Sequence, residues 1–286
     1  MFDRNLEIFI RVAEYGSFTI ASQVLYVSQP AVSHAIKHLE DELKVQLFYR
    51  DKRKGLILTE VGKKILTLAR QMEDIDNRIL QTAYQENNLI SGRLRIASLP
   101  SLTATYVSQT LKIFHERYPN VTIEIREGSP QEIISMVDGY MVDLALSTSP
   151  YQQFDHITLK HDEMVAISSG AQKRSRVIDL SHPEETLILT KRAYETIIDN
   201  TSKGHFIDMR SVIIVENIDT LIHMVKDQIG IGVISKHPLS LSNEDFTTQK
   251  ITPSVQFDIG LFSISLNEMT PVAREFVNLL QGLYRP

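Results

Sequence analysis

Between residues 3 and 15, Leu6, Phe9, Ile10 and Ala13 recur at helical spacing and fall on one face. Gly16-Ser17 breaks the pattern, and a short second helix follows with Ile20, Ala21, Val24 and Leu25 apolar. Tyr26-Val27 reads as a tight turn. Ser28 is a good N-cap for a third helix that runs to about Leu43, and Pro30 falls in its first turn, where a missing N–H costs nothing. On a wheel, Val32, Ala35, Ile36, Leu39 and Leu43 form one stripe. Pro30, Ser33, His34, Lys37 and Asp41 point the other way, with Gln29 and His38 at the flanks. Helix, short turn, helix with a polar outer face is helix-turn-helix geometry, whose second helix enters a major groove. Gln29 and Ser33 can hydrogen-bond base edges, Pro30 can press on a thymine methyl, His34 shares their face, and Ser28 at the helix start counts with them as a DNA-binding candidate. Lys37 suits phosphate. Phe48-Tyr49-Arg50, the loop Asp51-Lys52-Arg53-Lys54-Gly55 and Leu56-Ile57-Leu58-Thr59 then read as strand, basic loop, strand. That is a wing, with Arg50, Arg53 and Lys54 placed to neutralise phosphates.

From Thr59 onward, Val61, Ile65, Leu68, Met72, Ile75 and Ile79 alternate steps of four and three. This is a heptad seam, and the polar cover of Lys64, Gln71, Asp74, Asn77 and Arg78 favours a helix that pairs two subunits over one packed on its own domain. Glu86-Asn87-Asn88 and Ser91-Gly92 mark a boundary. Beyond it strands alternate with helices. Strand-like runs lie at 93–97, 121–127, 142–147, 164–168, 187–190, 211–215, 231–235 and 258–266, with helical patterns around 107–114, 133–137, 218–225 and 272–280. Repeated βαβ units imply parallel sheets in two lobes.

Composition narrows the function. At 286 residues the chain suits two or three domains, and 43 % hydrophobic content excludes wholesale disorder. Cysteine is absent, which excludes a disulfide framework, thiolate zinc, iron–sulfur clusters and cysteine nucleophiles. The start of the chain has no signal-peptide pattern and no apolar run reaches a membrane span of ~18 residues, so a soluble, cytoplasmic protein is expected. The net charge of −5 argues against nucleic acid if read whole. Its distribution argues otherwise. Lys44, Arg50, Lys52, Arg53, Lys54, Lys63, Lys64 and Arg70 stand against only Asp51 and Glu60 within residues 44–70, a local basic excess on an acidic chain that charge alone reads equally as a polyanion-facing module or as a solvated basic face.

No Gly-x-Ser-x-Gly elbow, His-Glu-x-x-His or Walker loop is present, so no catalytic residue and no enzyme is expected. Gly230-Ile231-Gly232 lacks the third glycine of a dinucleotide fingerprint and suits the start of a strand. His34 and His38 have metal-ligand spacing but no third ligand, so neither a metal nor a cofactor is expected. A ligand cleft fits better. Ser98-Leu99-Pro100-Ser101-Leu102-Thr103 lies between a strand end and a helix start, where free N–H groups favour an anion. Ser129 and Ser147-Thr148 occupy two more strand-end turns. Ser98, Pro100, Ser101, Thr103, Ser129, Ser147 and Thr148 are thus the candidate effector-binding residues, although serine and threonine also cap helices routinely.

The stretch Ala21-Ser22-Gln23-Val24-Leu25-Tyr26-Val27-Ser28-Gln29-Pro30-Ala31-Val32-Ser33, continued by Ile36, Leu39-Glu40, Leu43, Leu47-Phe48, Arg50 and Leu58-Thr59-Glu60-Val61-Gly62, resembles the LysR-type transcriptional regulators. Lys44 departs from that pattern, where glycine is usual, and so does Ile20, where alanine is common. Gly92-Arg93-Leu94-Arg95-Ile96, Phe114, Tyr118-Pro119-Asn120-Val121, Glu127-Gly128, Asp143-Leu144-Ala145 and Gly230-Ile231-Gly232 resemble the same family's effector domain. The resemblance implies an α + α/β chain. It comprises an N-terminal winged helix-turn-helix (1–59), a long linker helix that dimerises (60–90) and a two-lobed periplasmic-binding-protein-like effector domain (91–286). Lobe one covers about 91–163 and 265–286, lobe two about 164–264, with crossings near 163–168 and 259–265. The implied partners are double-stranded DNA, a small-molecule effector, expected to be anionic, RNA polymerase and a second copy or copies, as homodimer or homotetramer. The same family's cleft is lined by the three serine-bearing loops. A transport-type binding protein would share the back half without using the first 60 residues, and an α/β enzyme lacks its catalytic constellation.

Overall fold

Helix α1 (Arg4–Tyr15) starts at Asp3, whose carboxylate accepts from the backbone N–H groups of Asn5 and Leu6 at 2.9 and 3.0 Å. It ends at Gly16, in the left-handed region that glycine enters without strain. α2 (Phe18–Val24) is capped by Ser17 and α3 (Gln29–Leu43) by Ser28, whose hydroxyl accepts from Ala31 N–H at 3.3 Å. Strands β1 (Phe48–Asp51) and β2 (Gly55–Leu58) pair antiparallel, with Phe48 opposite Leu58, and form the wing. A computed structural model describes residues 2–51, 55–86, 90–169, 177–200, 209–236, 239 and 246–284. The wing-tip residues Lys52, Arg53 and Lys54 lie outside the described residues.

The head closes around Phe9, Val12, Ala21, Val32, Ile36, Leu39 and Leu47. One position departs from the helical-wheel expectation. Leu43 is 42 % exposed, because α3 ends there and Lys44 turns left-handed at φ 55°. The returning chain packs Val45, Leu47 and Phe48 onto the core in its place. Helix α4 (Glu60–Glu86) is capped by Thr59, whose hydroxyl accepts from Gly62 N–H at 2.9 Å and donates to Gln46 O at 2.7 Å. A Cβ on Gly62 would sit 2.3 Å from Leu47 O, so this close approach of helix to backbone admits only glycine. Leu66 and Ala69 of α4 complete the head core.

The body is a mixed sheet. β3 (Gly92–Ser98) lies parallel between β4 (Val121–Glu127) and β5 (Leu144–Thr148). A helical stretch beginning at Pro100 and continuing as α5 (Ser108–Arg117) connects β3 to β4, and α6 (Pro130–Asp138) connects β4 to β5. The chain then leaves lobe one through β6 (Asp155–Ser168), a 14-residue strand. Its first half pairs antiparallel with β12 (Gln256–Ser263), and its second half with β10 (Ile231–Ser235) and β11 (Thr247–Thr252). β8 (Leu187–Thr190) lies parallel to β10 and to β9 (Val212–Val215), while β7 (Val177–Asp179) pairs with β11. α7 (Lys191–Asn200) and α8 (Ile218–Lys226) belong to lobe two, and α9 (Pro271–Tyr284) returns to lobe one to pack Phe276 edge-on to Phe114.

Two expectations are corrected here. The sheet is mixed, because the chain crosses between lobes twice as extended strand and β12 runs antiparallel to both β5 and β6. The return crossing lies at Val255–Gln256, not within 259–265. All of β12 pairs inside lobe one, and Met164 N–H donates to Val255 O at 2.9 Å where the two crossings meet. Lobe one therefore takes up β12 as well as α9. Gly230 and Gly232 serve a strand: a Cβ on the first meets Thr186 O, and on the second Leu221 and Val225 of α8.

Candidate DNA-reading head and effector cleft

The sequence-picked face of α3 is solvent-facing. Gln29, Pro30, Ser33, His34 and Lys37 are exposed, while Val32, Ala35, Ile36 and Leu39 are buried against α1 and α2. Ser28 is exposed, but its hydroxyl is engaged as the helix cap. Arg50 is exposed on β1, opposite Leu56. Tyr26, in the turn before α3, is 95 % exposed with a left-handed backbone at φ 54°. The head thus exposes hydrogen-bonding groups, an apolar ring and cations, the mixture that base edges, thymine methyls and phosphates require.

On α4, Val61, Leu68, Met72, Ile75 and Ile79 are exposed, Leu68 to 58 % and Ile79 to 62 %. The sixth seam position, Ile65, is half-buried against the head core. Five apolar side chains along one edge of a 27-residue helix leave a stripe that the single chain does not cover.

In lobe one the three serine-bearing loops share one end of the sheet. Ser98 is opposite Glu127 on one side and Leu146 on the other, Gly128 N–H donates to Ser98 O at 3.4 Å, and Leu99 N–H donates to Leu146 O at 3.3 Å. Within this cluster the hydroxyls differ in what they do. Ser98 is fully buried and donates to Leu99 O. Ser129 closes a capping box with Glu132: its hydroxyl accepts from Glu132 N–H at 3.3 Å, and its backbone N–H and hydroxyl donate to the Glu132 carboxylate at 2.7 and 2.9 Å, which holds that carboxyl below its ordinary pKa. Thr103 donates to Leu99 O, Pro100 and Ser101 are exposed, and Thr148 is half-buried. Ser147 stands apart: its hydroxyl is buried and has no hydrogen-bond partner among the described residues. The helix that begins at Pro100 has Leu99 in its cap position, so no side chain accepts from its first turn.

Beside these loops, on the strands that join the lobes, lies a groove of about 590 Å³. Ser149, directly after Thr148, is on its wall and accepts from Asp258 N–H at 3.0 Å. His161 Nδ1 lies 2.5 Å from the Asp258 carboxylate, and Lys236 Nζ donates to Glu163 at 2.7 Å, which raises the lysine's pKa. Asp162 is buried and accepts from the Ser235 hydroxyl of lobe two. Sequence reading passed over these residues. The available signal was Lys160-His161-Asp162-Glu163, four polar residues in a row within an otherwise apolar strand.

The architecture is that of a winged helix-turn-helix head carried by a long helix on a two-lobed binding domain. The profile described as "Bacterial regulatory helix-turn-helix protein, lysR family" matches residues 4–63, and the "LysR substrate binding domain" matches residues 87–285. The chain is 38 % identical over 282 residues to the uncharacterized HTH-type transcriptional regulator YoaU of Bacillus subtilis strain 168, covering 98 % of this chain and 97 % of that one. It is 30 % identical over 289 residues to YvbU of the same organism, covering 98 % of both. Full-length OxyR C199D from Pseudomonas aeruginosa has the same fold, with a TM-score of 0.71 at 19 % identity over 98 % of this chain and 96 % of that one. So does full-length CbnR complexed with its target DNA, at 0.60 and 18 % over 99 % of both chains. The chain belongs to the LysR family of bacterial transcriptional regulators, with a DNA-binding helix-turn-helix and an effector-binding domain. Members of this family regulate transcription and are not enzymes. Among the described residues no helix is long and apolar enough to cross a membrane.

Proposed function

We propose that this chain works as a homodimer or homotetramer paired through the Val61, Leu68, Met72, Ile75 and Ile79 edge of α4. Its two heads read a two-fold operator through Gln29, Pro30, Ser33 and His34. Lys37, Arg50 and the wing-tip Arg53 and Lys54 bind phosphates. An anionic small molecule, a carboxylate or phosphate in class, binds at the strand ends bearing Ser98, Pro100, Ser101, Thr103, Ser129, Ser147 and Thr148. RNA polymerase is the further partner, in the cytoplasm.

The observation that carries the effector assignment is the meeting of an uncapped helix start at Leu99–Ser101 with the unpartnered, buried Ser147 hydroxyl. Buried hydroxyls are ordinarily bonded, and one that is not, beside the positive end of a helix, suits an acceptor-rich ligand. Ser129 contributes differently, by fixing the start of α6 through its capping box. Control of DNA binding then needs only that the ligand prefer one arrangement of the lobes.

The test is thermal unfolding of the full chain with a panel of carboxylates, phosphates, sulfate and their neutral analogues. A ligand at 100 times its Kd stabilises by about 2.7 kcal/mol. Anions are expected to stabilise the wild type and to lose most of that effect in Ser147→Ala and Ser101→Ala. Stabilisation by neutral analogues alone, or stabilisation indifferent to both substitutions, removes the assignment.

A further inference from the structure

Head and body meet through a file of charged side chains. Arg11 of α1 donates to Glu14 at 2.8 Å and to Glu73 of α4 at 2.5 Å. Glu73 also faces Arg93 of β3 at 3.5 Å. Glu14 receives, on its other oxygen, the Arg126 guanidinium of β4, which also holds Glu124 at 2.7 Å. The side chains of Arg11, Glu14 and Glu73 are 11–16 % exposed, so water and salt screen these contacts little. Burial works against the Glu14 carboxylate, yet its hydrogen bonds from Arg126 and Arg11 outweigh that and hold its pKa below the ordinary value.

The position of Arg126 gives this junction its meaning. It lies opposite Ala97 on β4, one residue before the Ser98–Glu127 pair and two before Gly128, whose N–H is bonded to Ser98 O. The head is therefore gripped within three residues of Ser129, at the end of the sheet that carries the effector loops. Glu14 in turn is the penultimate residue of α1, the helix against which α3 packs. A displacement of the β4 end reaches the recognition helix through Arg126, Glu14 and one rigid helix.

We propose that Arg126 and Glu14 are positioning residues that fix the orientation of the DNA-binding head on lobe one, so that the strand ends at Ser98 and Ser129 set the spacing of the two heads in the dimer. This rests on the reading of those strand ends as the effector site. The pair makes no contact with DNA; it decides which half-site spacing the dimer accepts.

The test needs no effector. The upstream region of the chain's own gene is footprinted, and about 5 bp, half a helical turn, is inserted between the half-sites. Full-length wild type, Arg126→Met, Glu14→Gln, the double variant and Arg126→Lys are titrated on both duplexes. Wild type is expected to lose at least tenfold in affinity on the lengthened site. Each single variant should lose threefold or less, and the double variant no less and no more than either single. Arg126→Lys, which keeps the charge, should fall nearer wild type. Equal discrimination by Arg126→Met, Glu14→Gln and wild type overturns the proposal. So does weaker binding of the variants to the unaltered site, since the pair would then support recognition itself and not its placement. Wild-type binding to the unaltered duplex separately checks the DNA-binding reading, and thermal midpoints check that each variant folds.

Discussion

Arg95 of β3 and Asp143, just ahead of β5, form a forked ion pair in which Nη2 and Nε lie 2.5 and 3.0 Å from one carboxylate oxygen, with each side chain 6 % exposed. The backbone N–H of Arg95 donates to the second oxygen at 2.6 Å, and the same guanidinium reaches Tyr140 O at 3.1 Å and Asp74 of α4 at 3.3 Å. One arginine thus ties two strands of lobe one to the linker helix. Burial disfavours its charge, but Asp143, Asp74 and Glu73 together hold its pKa above the ordinary arginine value.

The two carboxylates on this guanidinium are unequal. Asp143→Ala leaves a buried cation without its closest partner and is expected to destabilise the fold by about 3–5 kcal/mol. Asp74 has its pKa raised, by burial first and by repulsion from Asp143 next, against the pull of Arg95. An acid with a raised folded pKa weakens the fold when ionised, and the penalty disappears as pH falls below that pKa. Asp74→Asn should therefore change stability by less than about 1 kcal/mol at neutral pH, because its side-chain oxygen can still accept from Arg95. Wild type should gain on it as the pH is lowered toward the carboxylate range. Urea unfolding at several pH values measures both; equal losses for the two substitutions would contradict the assignment.

How much of this was legible in the sequence depended on distance along the chain. Ser28, Pro30 and the Val32–Leu39 stripe are local signals, and the helix they specify is the one observed. The Ser129–Glu132 capping box is local too, but its serine was read for its ligand chemistry ahead of its cap. Leu43 follows the helical period yet faces solvent, since what covers a helix's last turn is decided by how the next segment returns. Helix α7 passed unnoticed although Ala193 and Ile197 are spaced four apart and buried, because two anchors in ten residues make a faint pattern. Strand β6 was half-read, since its polar middle, Lys160–Glu163, where the lobes join, interrupts the apolar run. Glu14 and Arg126 are 112 residues apart, and no local pattern marks two charges that only the assembled fold brings together.

Lys44 illustrates a departure with a structural consequence. It is the C-cap of α3, at φ 55° and ψ 35°, and its N–H bonds to Glu40 O. An L-residue in this region carries a steric penalty that glycine does not. Lys44→Gly is expected to stabilise the head by about 0.5–1 kcal/mol, the relief of strain exceeding the added freedom of the unfolded chain. A lower midpoint in chemical denaturation would show that the lysine side chain contributes more than its backbone costs.

The exposed edge of α4 predicts an assembly defect without a folding defect. Leu68 and Ile75, one heptad apart, contact water in the single chain, so a charge at either should leave the subunit folded. The pair Leu68→Glu and Ile75→Glu is expected to sediment near the 32.6 kDa monomer. With one head per particle, the gain from simultaneous binding disappears, and operator affinity should fall by about 100-fold or more. Retention of the wild-type mass by this variant would place the subunit interface elsewhere.

The head's contacts separate into those that position and those that specify, and two substitutions distinguish them. Arg50 is an exposed cation on the wing and Ser33 an exposed hydroxyl on the outer face of α3. Loss of one phosphate contact releases one fewer counterion, so Arg50→Ala should weaken binding to all sequences alike and reduce the slope of log K against log salt by about 0.9. Ser33→Ala should leave that slope unchanged and lower discrimination at one base pair of each half-site, by up to about 1–3 kcal/mol. Gel shifts on the operator and on single-base variants, repeated across a salt series, give both quantities. If Ser33→Ala alters the salt slope while operator discrimination is untouched, Ser33 faces the phosphate backbone, and the base-reading side of α3 must be assigned to Gln29, Pro30 and His34 instead.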